Sequence, residues 1–279
     1  MWQVCGPPLG HGGKPRQMGG INVLNPCYQK PNRPISLIAL CWFALVAALV
    51  AVSASAQDVK DRMASALSRF AGQPIAVEDV RPSPAPGIVE VQVQNGPLLY
   101  ATADGNYFFL NGDLHQISTS GAVNLTEERR SVSRKEQLAA VSMSDMVVFS
   151  PEGTVRDYVS VFTDVTCFYC QKLHREVDQL NAKGIEVRYL AFPRGGMNSE
   201  GAKKLATAWC AKDQQATLTE LKAGVDLPIN DCPDNPIAAQ YQLGQDMGVT
   251  GTPAIITSSG LMIPGYRPAS DLAAVLGLD

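Results

Sequence analysis

The sequence predicts a mixed fold of two units: a small antiparallel β unit, then, through a helix, a larger unit in which strands and helices alternate. Three observations carry this. Between residues 88 and 117, apolar runs are separated by Asn95-Gly96, Asp104-Gly105 and Asn111-Gly112, dipeptides that favour tight hairpin turns. Tyr158, Val159, Val161 and Phe162 form an apolar, β-branched and aromatic run that suits a central strand. Directly after it, Cys170, Leu173, Val177 and Leu180 recur at helical spacing, with Gly184 as the stop.

The chain has 279 residues, a formal net charge of −3 and 46% hydrophobic residues, room for one large or two small domains. No basic stripe is visible, which argues against nucleic acid as a partner. Residues 1–34 are rich in Gly, Pro, Asn and Gln. From Ile35 to Val52 the chain is almost wholly apolar, with Lys30 and Arg33 before it and Ala54-Ser55-Ala56 after. That layout reads as a secretory signal cleaved before Gln57. A membrane anchor is the other reading, because the run approaches the length of a span. Met18 is an alternative start, which would make residues 1–17 an upstream extension. Cleavage would remove Cys5, Cys27 and Cys41 and leave Cys167, Cys170, Cys210 and Cys232, an even set suited to an oxidising compartment.

After the leader, residues 58–71 read as a short amphipathic helix with Val59, Met63, Ala66, Leu67 and Phe70 on one side. Residues 73–80 read as a strand, and Pro82, Pro84 and Pro86 break the chain. Strands are then expected over residues 88–93, 98–102, 107–110 and 114–117, a meander whose thin core would gain from pairing with a second copy. Residues 127–144 hold no Gly or Pro and are charged at their start. They read as an exposed linker helix with a solvated charged face. Beyond the central strand and its helix, strands are expected over 185–192, 252–257 and 261–266, and helices over 200–212, 236–247 and 269–276. The order β-α-β, helices, β-β-α is the thioredoxin layout.

Cys167 falls at the start of the predicted helix, where free backbone N–H groups and the dipole favour a thiolate. Cys170 lies one turn further in, within reach of a disulfide. A zinc ribbon would need a second close pair, and Cys210 and Cys232 are too far apart in sequence. Haem attachment would need His at 171, which is Gln. A redox pair is left, with Cys167 as nucleophile. Cys210 and Cys232 read as a structural disulfide between the helix after Phe192 and the loop before Pro236. Pro253 by itself could be a strand-initiating proline, Asp164 a cap, and His174 a partly exposed packing residue.

Phe162-Thr163-Asp164-Val165-Thr166-Cys167-Phe168-Tyr169-Cys170, with Lys172, Leu173 and His174 behind it, resembles the DsbC/DsbG family of periplasmic disulfide isomerases. Gly251-Thr252-Pro253 is similar to that family's cis-proline loop, and Cys210 with Cys232 to its second pair. Leu99-Tyr100, Asp104-Gly105 and Gly112-Asp113-Leu114 are similar to its dimerisation domain. The resemblance implies an upstream extension and signal peptide over 1–56, a dimerisation domain over 57–125, a linker helix over 126–146 and a thioredoxin-like catalytic domain over 147–279. It implies Cys167 and Cys170 as catalytic residues and a cis Thr252–Pro253 bond beside them that holds an extended substrate. It further implies no cofactor and no metal, a homodimer, misfolded exported proteins as substrates and a membrane thiol reductase of the DsbD type as electron source. A DsbG-like reductase of single cysteines and a cleft-binding chaperone are the alternatives. Phe168 departs from the family, which usually carries a small residue there.

Overall fold

The computed structural model describes residues 57–119 and 121–278, so the expected signal, the alternative start and the first three cysteines lie outside the described residues. In the N-terminal unit, helix α1 (57–71) lays Val59, Met63 and Leu67 against a four-stranded antiparallel sheet. Its strands are β1 (Val77–Pro82), β2 (Ile88–Val93), β3 (Leu98–Thr102) and β4 (Phe108–Phe109), in that spatial order. Val77, Val91, Val93, Leu99 and Ala101 complete the core on the face toward α1. Asn95 and Asn111 turn the chain with φ of 50° and 58°, a left-handed conformation that asparagine tolerates better than most residues.

The meander stops earlier than its turn residues suggest. Asn111-Gly112 does not lead into a fifth strand of that sheet. β5 (His115–Ser118) instead pairs with β6 (Gly121–Asn124) as a separate two-stranded ribbon, and β6 was not expected.

Helix α2 (Leu125–Ala139) follows, with Asn124 accepting from the Glu127 N–H as its N-cap. Its charges do not all face water. Thr126 is buried and hydrogen-bonds the Tyr100 hydroxyl at 2.8 Å. Arg134 is buried as well, paired with Glu127 at 2.5 Å and donating to the Met247 carbonyl at 3.3 Å. The helix expected to be solvated is therefore pinned on one side. A Cβ at Gly260 would lie 1.9 Å from the Ser131 backbone oxygen, so only glycine lets the turn after β10 approach α2 this closely.

The C-terminal unit is a five-stranded sheet in the order β11-β10-β8-β9-β7. β7 (Val147–Phe149) and β9 (Ile185–Ala191) are antiparallel, β8 (Asp157–Thr163) and β9 are parallel, and β10 (Ala254–Thr257) runs antiparallel to β8 and to β11 (Met262–Pro264). Side chains alternate along β8: Val159 and Val161 enter one core cluster, Phe162 the other. The first cluster is roofed by Leu173 of α3 (Phe168–His174), Leu180 of α4 (Val177–Ala182), Leu205 of α5 (Glu200–Trp209), Leu218 of α6 (Gln214–Lys222), Ile237 of α7 (Ile237–Asp246) and Leu272 of α8 (Ala269–Val275). The second takes Leu138 from α2. The single helix expected after Cys167 is broken at Arg175–Glu176 into α3 and α4, with Gly184 at φ 81° closing the second. Strand β7 and helix α6 were not expected.

Candidate active site

β8 ends at Thr163, and the chain turns through Asp164, Val165 and Thr166 before Cys167 caps α3 with φ −86° and ψ 119°. Asp164 holds this turn. Its Oδ1 accepts from the Thr166 N–H and hydroxyl, both at 2.8 Å, and its Oδ2 accepts from the Arg194 N–H at 2.9 Å. The Arg194 guanidinium lies 3.4 Å from the same oxygen, and Asp164 is buried. The carboxylate thus joins the cysteine turn to the loop after β9 and is more than a helix cap.

Cys167 and Cys170 are both free thiols, one turn apart and buried. The Thr252–Pro253 peptide bond is cis and sits opposite them. The Cys167 Sγ donates to the Thr252 carbonyl at 3.2 Å. Thr252 Oγ1 is buried with no hydrogen-bond partner among the described residues, which leaves it free to donate to a thiolate at Cys167. The cis bond therefore lies against the cysteine pair, which a proline that merely opened a strand would not require.

The two thiols are pushed in opposite directions. Cys167 is lowered to about 5, first by the hydrogen bond from the Cys170 thiol, then by Thr252, the Cys170 N–H and the Arg194 charge, all against the cost of burial. Cys170 is raised, first by burial and then by that same bond from the other side. One proton is thus held on the inner sulfur while the outer one is ionised, which is the division of labour of an attacking and a resolving thiol. The neighbouring thiol is the leading cause, ahead of the helix end that sequence reasoning relied on.

His174 is not the partly exposed residue expected. It is buried, with Nδ1 3.0 Å from the Tyr189 hydroxyl and Nε2 3.0 Å from Thr219 Oγ1. Burial, then the Lys222 charge, lower it to about 3, so the ring is neutral and acts as a strut between α3, β9 and α6. Phe168 and Tyr169 of the C-x-x-C are exposed. Tyr169 stacks on Tyr266 at 6.3 Å, Lys172 lies 4.3 Å from the Tyr266 ring centre, and the Tyr266 hydroxyl donates to Glu176. Cys210, at the end of α5, is bonded to Cys232, with Cα atoms 5.7 Å apart. Arg194 and Lys222 escaped sequence reasoning, because each reaches the site only through tertiary packing.

Both units have counterparts among known protein families. Residues 144–278 match a thioredoxin-like domain and residues 50–127 a disulfide bond isomerase protein N-terminal domain. Similar proteins include the thiol:disulfide interchange protein DsbC of Escherichia coli K12, 36% identical over 84% of this chain and 94% of that one. DsbC of Dickeya dadantii is 39% identical over 71% of this chain and 79% of its own. The chain belongs to the DsbC family. It is a thiol–disulfide oxidoreductase with a thioredoxin-like C-terminal domain and the DsbC-type N-terminal domain. Within that family frame, the two residues between the cysteines of this DsbC homologue, Phe168 and Tyr169, are exposed aromatics.

Proposed function

We propose that this protein isomerises and reduces wrong disulfides in exported proteins through Cys167 and Cys170. The observation that carries this is the Cys167 thiol lowered to about 5, beside a buried partner thiol and hydrogen-bonded to the cis-proline loop. The Cys167 thiolate attacks a substrate disulfide and one substrate sulfur leaves as thiolate. That thiolate then attacks a different disulfide, or Cys170 attacks Cys167 Sγ and releases reduced substrate. An extended substrate segment lies along Thr252 and Pro253, just before β10, and pairs with the main chain there in the manner of strand addition. The Cys210–Cys232 bond is structural and takes no part.

The protein works in the periplasm after removal of residues 1–56, as a homodimer joined through residues 57–125, with residues 126–146 as the linker and 147–279 as the catalytic domain. A DsbD-type membrane reductase returns it to the dithiol form, and neither cofactor nor metal is used. A holdase role has one observation in its favour, the exposed Phe168 and Tyr169 beside the site. A Cys167→Ala variant separates the readings. Loss of all rescue of a scrambled multi-disulfide protein is the expected result. Undiminished suppression of aggregation by a variant that also keeps its rescue activity would make the cysteines secondary.

A further inference from the structure

Lys222 is buried at 3% exposure, yet no reading of the sequence gives it a role. A buried ammonium is costly unless it is paired. Its hydrogen bond goes to a hydroxyl and not to a carboxylate: Nζ donates to Thr163 Oγ1 at 2.7 Å. It also lies 5.1 Å from the centre of the Tyr189 ring. Thr163 is the last residue of β8, and its hydroxyl lies near enough to Cys170 to lower that thiol against the cost of burial. The Thr163 hydroxyl therefore stands between an amine and the inner thiol. From these contacts we infer that Lys222 is a positioning residue for the resolving step, taking the Cys170 proton through Thr163.

The inference rests on Cys170 being the resolving thiol. In that step the Cys170 Sγ–Cys167 Sγ bond forms and the bond from Cys167 to the substrate sulfur breaks. The two cysteines are oxidised to a disulfide, and the substrate sulfur is reduced to a thiolate, which takes a proton from water. The Cys170 proton passes to Thr163 Oγ1 while the Thr163 proton passes to the neutral Lys222 amine. When the disulfide is reopened, the same proton returns.

The groups facing Lys222 suit this. They are Cys170 and His174 on α3, Cys167 at its cap, Asp164 and Thr163 at the end of β8, and Tyr189 on β9. Burial lowers the amine to about 8, against the opposing pull of Cys170, Asp164 and Cys167. The neutral, proton-accepting form therefore grows as pH rises through that value. His174 stays neutral throughout and does not compete.

The test uses the full-length reduced protein and an aryl disulfide that releases a coloured thiolate. Two phases follow: Cys167 displaces one aryl thiolate, then Cys170 displaces the second. A missing first phase would overturn the proposed function itself, independently of Lys222. In the wild type the second phase should quicken with a midpoint near pH 8. Lys222→Met should slow that phase by at least about tenfold and abolish the midpoint, while slowing the first by less than about threefold. Lys222→Arg keeps the charge but cannot accept a proton, so it should remain slow. Thr163→Val should show the same defect, and Thr163→Ser should restore the rate and the midpoint. A second phase within about twofold of wild type in Lys222→Met or Thr163→Val, or full rescue by Lys222→Arg, would overturn the inference.

Discussion

In the C-terminal sheet, the central strand is closed from both sides: Val159, Val161 and Phe162 are completely buried, between a layer of helices and a second cluster that includes Leu138 of α2. In the N-terminal unit, α1 covers one face of a short sheet, and Phe70, Tyr107, Phe109, Leu110 and Ile117 remain exposed. The cysteines of the described chain all belong to the first region, which also exposes scattered apolar residues such as Val155, Val225, Ile229 and Val275, but the most exposed large apolar side chains among the described residues, Ile117, Tyr107 and Phe70, belong to the second. The difference separates two tasks. One region holds a thiolate in a fixed and dry place, while the other has a surface that a second copy can complete.

The strongest way to break this comparison is to remove the second region. A protein lacking residues 57–125 should still reduce a small accessible disulfide, which needs one encounter. It should lose about a hundredfold or more of its rescue of a scrambled multi-disulfide substrate, which needs the chain held near Cys167 over repeated exchanges. Parallel assays of insulin reduction and of scrambled-substrate recovery make the check. Equal rescue by the truncated protein would give the first unit some other purpose.

A second measurement asks whether the C-terminal unit owes its rigidity to its own staple. Cys210 and Cys232 are 22 residues apart in sequence. Closing a loop of that size restricts the unfolded chain by roughly 3 kcal/mol. Replacing both by Ala should lower the unfolding free energy by about that amount in denaturant titrations, leaving the N-terminal unit unaffected. A loss below about 1 kcal/mol would mean that packing alone holds the unit.

Most of the frame needed for these experiments was legible in the residues. Asn95-Gly96, Asp104-Gly105, the β-branched run before Cys167 and the cysteine spacing each have a local cause, and the corresponding strands and turns lie where local chemistry puts them; Asn111-Gly112 does not join β5 to the meander. What was missed is tertiary. Val147–Phe149 is too short for a period, and becomes a strand only because β9 offers it an edge. Gln214–Lys222 carries few apolar residues, and only Leu218 and Leu221 mark its buried side. It is helical through the Asp213 cap and its contacts with α5, and it delivers Thr219 and Lys222 to the site. The burial of His174 and Arg134 has the same origin: a polar residue goes inside only if partners from other elements meet it there.

The Cys167 thiolate sharpens the comparison from the chemical side. With its thiol at about 5, Cys167 is ionised above that pH and becomes protonated as pH falls through it. A free thiol near 8.5 is only a few per cent ionised at neutral pH, so Cys167 should carry roughly thirtyfold more thiolate there. Alkylation rates should be flat from about pH 8 to pH 6 and fall to half near pH 5. Cys170→Ala should move the midpoint upward, since the Cys170 hydrogen bond is the leading cause. Removal of residues 57–125 should leave the midpoint in place. A midpoint that follows the truncation would mean that the first unit reaches into the chemistry.

The smallest expected effect bears on the second region directly. Ile117 is 88% exposed on the two-stranded ribbon, opposite Ala122, and among the described residues the ribbon forms a sheet of its own. A two-stranded ribbon is marginal in water by itself and gains from further burial. If a second copy covers it, Ile117 is buried only in the dimer. Ile117→Glu should then leave the monomer fold within about 0.5 kcal/mol, as surface substitutions usually do. It should weaken self-association by about 1–2 kcal/mol, near tenfold in the dissociation constant, because an isoleucine side chain loses its burial and a charge enters the contact. Sedimentation across a dilution series reads the constant, and circular dichroism in denaturant reads the fold. Unchanged association would move the contact away from the ribbon, toward the exposed Phe109 and Leu110 beyond β3, where a charge at Leu110 should then produce the loss that Ile117→Glu did not.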